Sequence, residues 1–159
     1  MSIGALPHSE TIAFLIEKFS LSDIHISDET AKYLISVAAD IPHYIQLLAS
    51  EIWQISVNNQ EHITKEIVDD CAQRLLLLKS DYYLELFNNR TLSQKQLLKA
   101  LTIESKNIFS ATYIKKHRLS AGSTLQHAVK ELINNGIIEK KGDVYFIADP
   151  FFKMFIEQN

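Results

Sequence analysis

The chain has 159 residues, 47% hydrophobic and 22% charged, with a formal net charge of -3; this is an ordinary globular profile that fits one domain, or two small ones, with enough apolar residue for a core. No apolar run reaches the ~20 residues that a membrane span needs, and the start MSIGALPHSE lacks the basic and apolar regions of a signal peptide. The single Cys71 excludes an internal disulfide and fits a reducing cytoplasm, so a cytoplasmic protein with no membrane partner is expected.

Charge is split unevenly. Residues 1–92 carry 13 acids and 6 bases, and residues 93–159 carry 6 acids and 10 bases, giving -7 and +4. Such asymmetry points to two modules with different partners.

In chain order, Ser9 is placed to cap a first helix over 10–19, with Glu10 in its first turn and Ile12, Leu15, Ile16 and Phe19 at helical spacing. A connector, 20–26, leads to a second helix capped by Ser27, with Asp28 and Glu29 at its positive end. Its stripe is Ala31, Leu34, Ile35 and Ala38. Pro42 suits a first turn and not a helix interior. The second helix is therefore expected to end near Ala39 and a third to start at Ile41, capped by Asp40 or Ile41. Ile45, Leu48, Ala49, Ile52 and Trp53 form its predicted buried face, and Asn58-Asn59-Gln60 closes it. Thr64 caps a fourth helix with Ile67, Cys71, Leu75 and Leu78 on one side. The run Leu75 to Leu78 is apolar all round a turn, which predicts burial on more than one side and a place between the two modules. Ser80-Asp81 opens a segment carrying Tyr82, Tyr83, Leu86 and Phe87.

Asn88-Asn89-Arg90-Thr91 is the predicted boundary. Beyond it Ser93 caps a helix with Leu97, Leu98 and Leu101, Ser110 a short one with Tyr113 and Ile114, and Ser120 a third running from Ala121 to about Asn134. That third helix turns Leu125, Ala128, Val129 and Leu132 inward, and Gly136 stops it. Residues 137–139 and 144–147 flank Lys140-Lys141-Gly142-Asp143, a β-hairpin signal. Asp149-Pro150 opens a last helix with Phe151, Phe152 and Phe155. Three helices and then a hairpin is the order of a winged helix-turn-helix. The fold is thus expected to be mainly α: a helical bundle at 1–90, helical throughout, then a winged helix at 91–159 whose hairpin, 137–147, is the only β structure. A parallel sheet would end that reading.

Four stretches carry a resemblance: Leu6-Pro7 with the helix containing Phe14 to Phe19; Ala39-Asp40-Ile41-Pro42-His43-Tyr44-Ile45-Gln46-Leu47-Leu48; Leu119-Ser120-Ala121-Gly122-Ser123-Thr124-Leu125-Gln126; and Asp149-Pro150-Phe151-Phe152. In this order they resemble the exit from the nucleotide-binding domain, the lid helix, the recognition-helix start and the closing motif of archaeal-type P-loop ATPases of the AAA+/STAND group. The resemblance implies that residues 1–90 are a helical lid and that the chain is the C-terminal piece of a longer protein. It implies ATP and Mg²⁺ for the intact protein and an N-terminal nucleotide-binding domain as partner. Ile41, Pro42 and His43 would line the lid side of the nucleotide. Where relatives often have Gly two residues before this proline, this chain has Asp40. The other reading of Pro42 is that it merely starts a helix.

The chain has no G-x-x-x-x-G-K-[ST] stretch to cradle phosphates, and no cofactor or catalytic residue is assigned to it. As it stands it is expected to be no enzyme. Its histidines, His8, His25, His43, His62, His117 and His127, lack ligand spacing, so no metal site is expected. Cys71 reads as a small buried hydrophobe, and Trp53 and the Phe151 to Phe155 set read as core. Ser123, Gln126, His127 and Lys130 share the solvent side of the predicted recognition helix, with Lys140 and Lys141 at the tip of the wing. These six are the candidate contacts to DNA or to a protein partner. Two functions follow: a regulatory and coupling module of a nucleotide-dependent ATPase, or a DNA-binding winged-helix regulator with a helical dimerisation or interaction domain.

Overall fold

The structure is a computed structural model that describes residues 8–59 and 62–159. Leu6-Pro7 and Gln60 lie outside the described residues. The chain divides into two units, Met1–Leu78 and Lys79–Asn159.

The first unit contains α1 (His8–Ser20), β1 (His25–Ile26), α2 (Asp28–Val37), α3 (Pro42–Ser56), β2 (His62–Ile63) and α4 (Lys65–Leu78). Ser27 caps α2, accepting from the Thr30 N–H at 3.1 Å, and Thr64 caps α4, accepting from the Ile67 N–H at 3.2 Å. Because α1 starts at His8, Ser9 lies inside it and is not its cap. Helices α1 and α3 each pack on α2, and α4 packs on α2 and α3. Leu34, Leu48, Ile52, Val68 and Cys71 are fully buried among them. Burial pushes the Cys71 thiol up to about 11, in keeping with its reading as an inert core residue.

Three expectations fail here. The bundle is not helical throughout, and the hairpin is not the only β structure: β1 and β2 pair in parallel, His25 opposite His62 and Ile26 opposite Ile63. Each strand is the last stretch before a helix cap. The two connectors run side by side, so their backbone groups bond each other while Ile26 and Ile63 enter the core. With two residues per strand, this pair is no sheet of the helix-covered parallel kind, and the fold stays mainly α. Second, only half of the leucine run is buried. Leu75 and Leu76 face the core, while Leu77 and Leu78, on the other side of the last turn of α4, are 73% and 74% exposed. Third, Trp53 is 41% exposed. Its position on α3 turns it to the rim of the packed face, where the indole N–H donates to Ser22 Oγ at 2.8 Å.

The second unit contains α5 (Ser80–Asn88), α6 (Leu92–Leu101), α7 (Ala111–Lys116), α8 (Ser123–Asn134), β3 (Ile138–Lys141), β4 (Val144–Ile147) and α9 (Pro150–Gln158). Strands β3 and β4 are antiparallel, Ile138 opposite Ile147 and Lys141 opposite Val144, around a Gly142-Asp143 turn. Gly142 sits at φ 64, as a two-residue hairpin turn requires of its first residue. The α6–α7 loop adds a bridge that sequence did not announce: Lys106 pairs with Val144, and the Tyr145 N–H donates to the Ser105 carbonyl at 3.0 Å.

Two caps differ from expectation. Thr91, not Ser93, caps α6, accepting from the Gln94 N–H at 3.2 Å, and Ser93 instead lies 3.3 Å from Ser120 Oγ. Helix α8 begins at Ser123, preceded by Gly122 at φ 65 and ψ -135, with no side-chain cap from Ser120. Only a residue without Cβ takes that backbone conformation readily, so the glycine sets where the helix starts. Ser110 and Asp149 cap α7 and α9 as expected.

The division at Leu78/Lys79 places α5 with the second unit, one helix earlier than the Arg90/Thr91 boundary read from the sequence. Tyr83 is the physical reason. It is fully buried, donates its phenolic O–H to Asp149 Oδ2 at 2.7 Å, and packs its ring 5.4 and 5.8 Å from those of Phe152 and Phe155. The shift moves two bases, Lys79 and Arg90, and two acids, Asp81 and Glu85, so the charges of the two units stay at -7 and +4.

Candidate functional site

The first candidate surface is the N-terminus of α3. Helix α2 ends in paired backbone bonds, Asp40 N–H to the Ile35 carbonyl at 2.9 Å and Ala39 N–H to that of Ser36 at 3.0 Å. This is a Schellman ending, in which the residue after the cap turns left-handed. Ala39 does so at φ 55 and Asp40 follows at φ 58. Asp tolerates that region better than most residues, which accounts for a carboxylate at a position where glycine would otherwise be expected. Ile41 is extended and no side chain caps α3; Pro42 occupies its first turn. Ile41 and Pro42 are half-buried and His43 is exposed, its ring 4.9 Å from that of Tyr44. Asp40 Oδ2 lies 3.0 Å from His8 Nε2. Ile41, Pro42 and His43 are the cap and first turn of α3.

The second surface is on α8 and the hairpin. Ser123, Gln126, His127 and Lys130 fall on one exposed face of α8 by the 3.6-residue period, and Asn134 lies on the same side. Lys140 and Lys141 are exposed, and they belong to strand β3, not to a loop beyond it. Lys140 Nζ sits 5.6 Å over the Tyr145 ring. The uncapped N-terminus of α8 presents free N–H groups on this same unit.

A polar cluster ties α7 and its C-cap to Glu104 in the α6–α7 loop. Glu104 Oε2 accepts from His117 Nε2 at 2.6 Å and pairs with Lys116 Nζ at 3.1 Å. Those two hydrogen bonds hold the Glu104 carboxyl below its ordinary range. The Tyr113 O–H donates to the Glu104 carbonyl at 2.8 Å, and burial pushes that phenol up to about 12. Among the described residues, no group of three His, Cys, Asp or Glu is arranged to hold a metal ion. The His25 and His62 rings meet edge to face at 4.3 Å as a pair.

Residues 81–158 match the model of a family described as a probable winged helix domain. The second unit is a winged helix. The match starts within α5, so it covers the helix that Tyr83 ties to Asp149 as well as α6 to α9, and it leaves the first unit outside. No curated protein matches the chain. No helix of the described residues is long and apolar enough to cross a membrane.

Two features of the winged helix escaped the sequence reading. Nothing in the sequence sets Tyr83 apart from Tyr82 and Phe87 of its segment, because a bond between residues 66 positions apart leaves no periodic trace. The Ser105–Lys106 bridge carries no signal either, because a single bridged residue has no alternation to detect.

Proposed function

We propose that the chain is the C-terminal lid and winged-helix module of a larger nucleotide-dependent P-loop ATPase, coupling nucleotide state to the winged helix. The observation that carries this reading is the start of α3. There a proline opens a 15-residue helix that no side chain caps, at the position that the resemblance puts beside the nucleotide. An uncapped helix N-terminus favours an anion through its free N–H groups and positive dipole end. Asp40 is engaged by His8, and its negative charge argues against direct phosphate contact, so Ile41, Pro42 and His43 would meet the adenosine part. The phosphate cradle and the Mg²⁺ ligands would belong to a preceding domain. The chain itself would not hydrolyse ATP.

The test is hydrogen exchange on the protein encoded by the full reading frame, with and without ATP and Mg²⁺. Slowed exchange at residues 41–45 on nucleotide addition is expected. A full frame with no Walker-type motif, or exchange at 41–45 indifferent to nucleotide, would sink the proposal.

A second reading is supported by the α8 face, where Gln126, His127 and Lys130 are exposed together with Lys140 and Lys141. Cations of this kind hold phosphates, and a Gln amide can pair with an adenine edge. The face is thinly basic, and exposed Ile133 borders it, which suits a protein contact better than a groove. Weak, salt-sensitive binding of duplex DNA is therefore the most this surface supports. Fluorescence anisotropy at low and physiological salt measures it. Binding unchanged in a Lys130/Lys140/Lys141→Glu variant would remove this surface as the contact.

A further inference from the structure

Helices α1 and α3 both lie on α2 and leave a furrow between them of about 640 Å³. Its walls are apolar beyond what a surface crease needs. Phe14, Leu21 and Trp53 line it while being 51%, 78% and 41% exposed, with Ile45 and Ala49 among the lining residues from α3. The Trp53 indole N–H is satisfied by Ser22, so what the ring offers the furrow is apolar surface. Volume and lining fall within the range of small-ligand sites, roughly 300–1,000 Å³ with few polar groups.

Charge identifies the occupant. The first unit is acidic, at -7, yet among the described residues the one charged side chain lining the furrow is a cation, Lys18. Its ammonium stands 5.6 Å over the Phe14 ring, among the exposed apolar side chains. Lys18 makes no ion pair among the described residues. A cation with no counter-charge among the described residues, set beside an apolar trough, complements a molecule with an apolar body and one anionic head.

We propose that the furrow between α1 and α3 binds a small amphiphilic carboxylate, its apolar tail against Phe14, Leu21 and Trp53 and its carboxylate on Lys18. This does not depend on the ATPase reading. The site uses the flanks of α1 and α3, whereas that reading uses the α3 N-terminus.

Trp53 is the single tryptophan of the chain, so its fluorescence reports the furrow directly. The experiment titrates the chain with decanoate below micelle formation, and with decanol as the neutral analogue of equal length. A saturable change with decanoate is expected, with decanol binding about fivefold more weakly. Lys18→Gln, at an exposed site, should bring decanoate down to the level of decanol. Ala49→Phe, which fills the furrow, should abolish both responses while circular dichroism shows an unchanged helix content. If that variant fails to fold, Lys18→Gln alone decides. No saturable response, equal affinity for the two amphiphiles, or a decanoate affinity indifferent to Lys18→Gln would overturn the proposal. So would a furrow that answers to a short amphipathic peptide with one glutamate on its apolar face but not to decanoate, which would assign the surface to a protein partner.

Discussion

The two units are held by different kinds of contact. In the first, polar links between distant side chains lie at the surface: Tyr33 to Asp69, Arg74 to Glu51, His8 to Asp40 and Trp53 to Ser22. Its interior is aliphatic, with Leu34, Leu48, Ile52 and Val68 at its centre. In the winged helix the corresponding links are part-buried: Tyr83 to Asp149, Tyr113 to the Glu104 carbonyl, and His117 to Glu104. A hydrogen bond shielded from water is costly to leave half-made, whereas an exposed one is readily replaced by solvent. The first unit should therefore tolerate loss of its polar pairs and resist loss of its aliphatic centre. The winged helix should be sensitive to single polar atoms.

The largest effect expected is at Leu48. Leu48→Ala removes a fully buried side chain from α3 and should destabilise the first unit by about 2–5 kcal/mol. Trp53 and Cys71 both lie in this unit, so denaturant melts followed by tryptophan fluorescence and by thiol labelling report it specifically. The buried thiol, raised to about 11, should label only as that unit opens. Labelling of the native wild type as fast as that of a free thiol would break this half of the comparison.

Next in size is Tyr83→Phe. It keeps the ring against Phe152 and Phe155 but takes the hydroxyl from Asp149 Oδ2, and about 1–2 kcal/mol should be lost from the winged helix. Arg74→Ala, which removes the exposed partner of Glu51 in the first unit, should cost less than about 1 kcal/mol. Equal costs for these two variants in urea melts would erase the distinction between the units.

A pH series sharpens it further. Glu104 is held below its ordinary carboxylate range by His117 and Lys116. Its contribution is thus present above the unfolded-state pKa and lost as pH falls through the lower folded-state value. The wild-type winged helix should melt progressively earlier below about pH 4, and Glu104→Gln should remove that part of the slope. A parallel pair of profiles would refute the assignment. The smallest effect expected is at Ser56, whose hydroxyl is buried on α3 and has no partner among the described residues. Ser56→Ala should be neutral or slightly stabilising in a thermal melt, since it removes a polar atom whose burial goes uncompensated.

Most helix caps are legible in the sequence, and contacts between distant segments are not. Ser27, Thr64, Ser110 and Asp149 cap helices because a short polar side chain reaches an N–H two or three residues on, and spacing alone reveals that. Ser93 and Ser120 offered the same local signal, and the backbone used Thr91 and Gly122 instead. The choice between neighbouring caps depends on where the helix packs, which spacing does not encode. The β1–β2 pair joins residues 25–26 to 62–63, beyond any window in which periodicity is visible. Ser123, Gln126, His127 and Lys130 share an exposed face of α8, as helical spacing predicts, whereas Lys140 and Lys141 extend strand β3 and leave only Gly142-Asp143 as the turn. The furrow was missed because Trp53 falls on the apolar stripe of α3, and a stripe does not disclose which of its edges is left open.

The shared use of Asp149 sets a limit on how this protein can be cut and rejoined. One carboxylate starts the last helix through Oδ1 and receives Tyr83 through Oδ2. A gene break at the polar stretch around Arg90, where the sequence invites one, would carry Asp149 away from Tyr83 and leave an oxygen in the interior with nothing to bind. A break between the codons for Leu78 and Ser80 separates the units without dividing that pair. Recombination that transplants the winged helix into another protein therefore has to take α5 with it as part of the cassette.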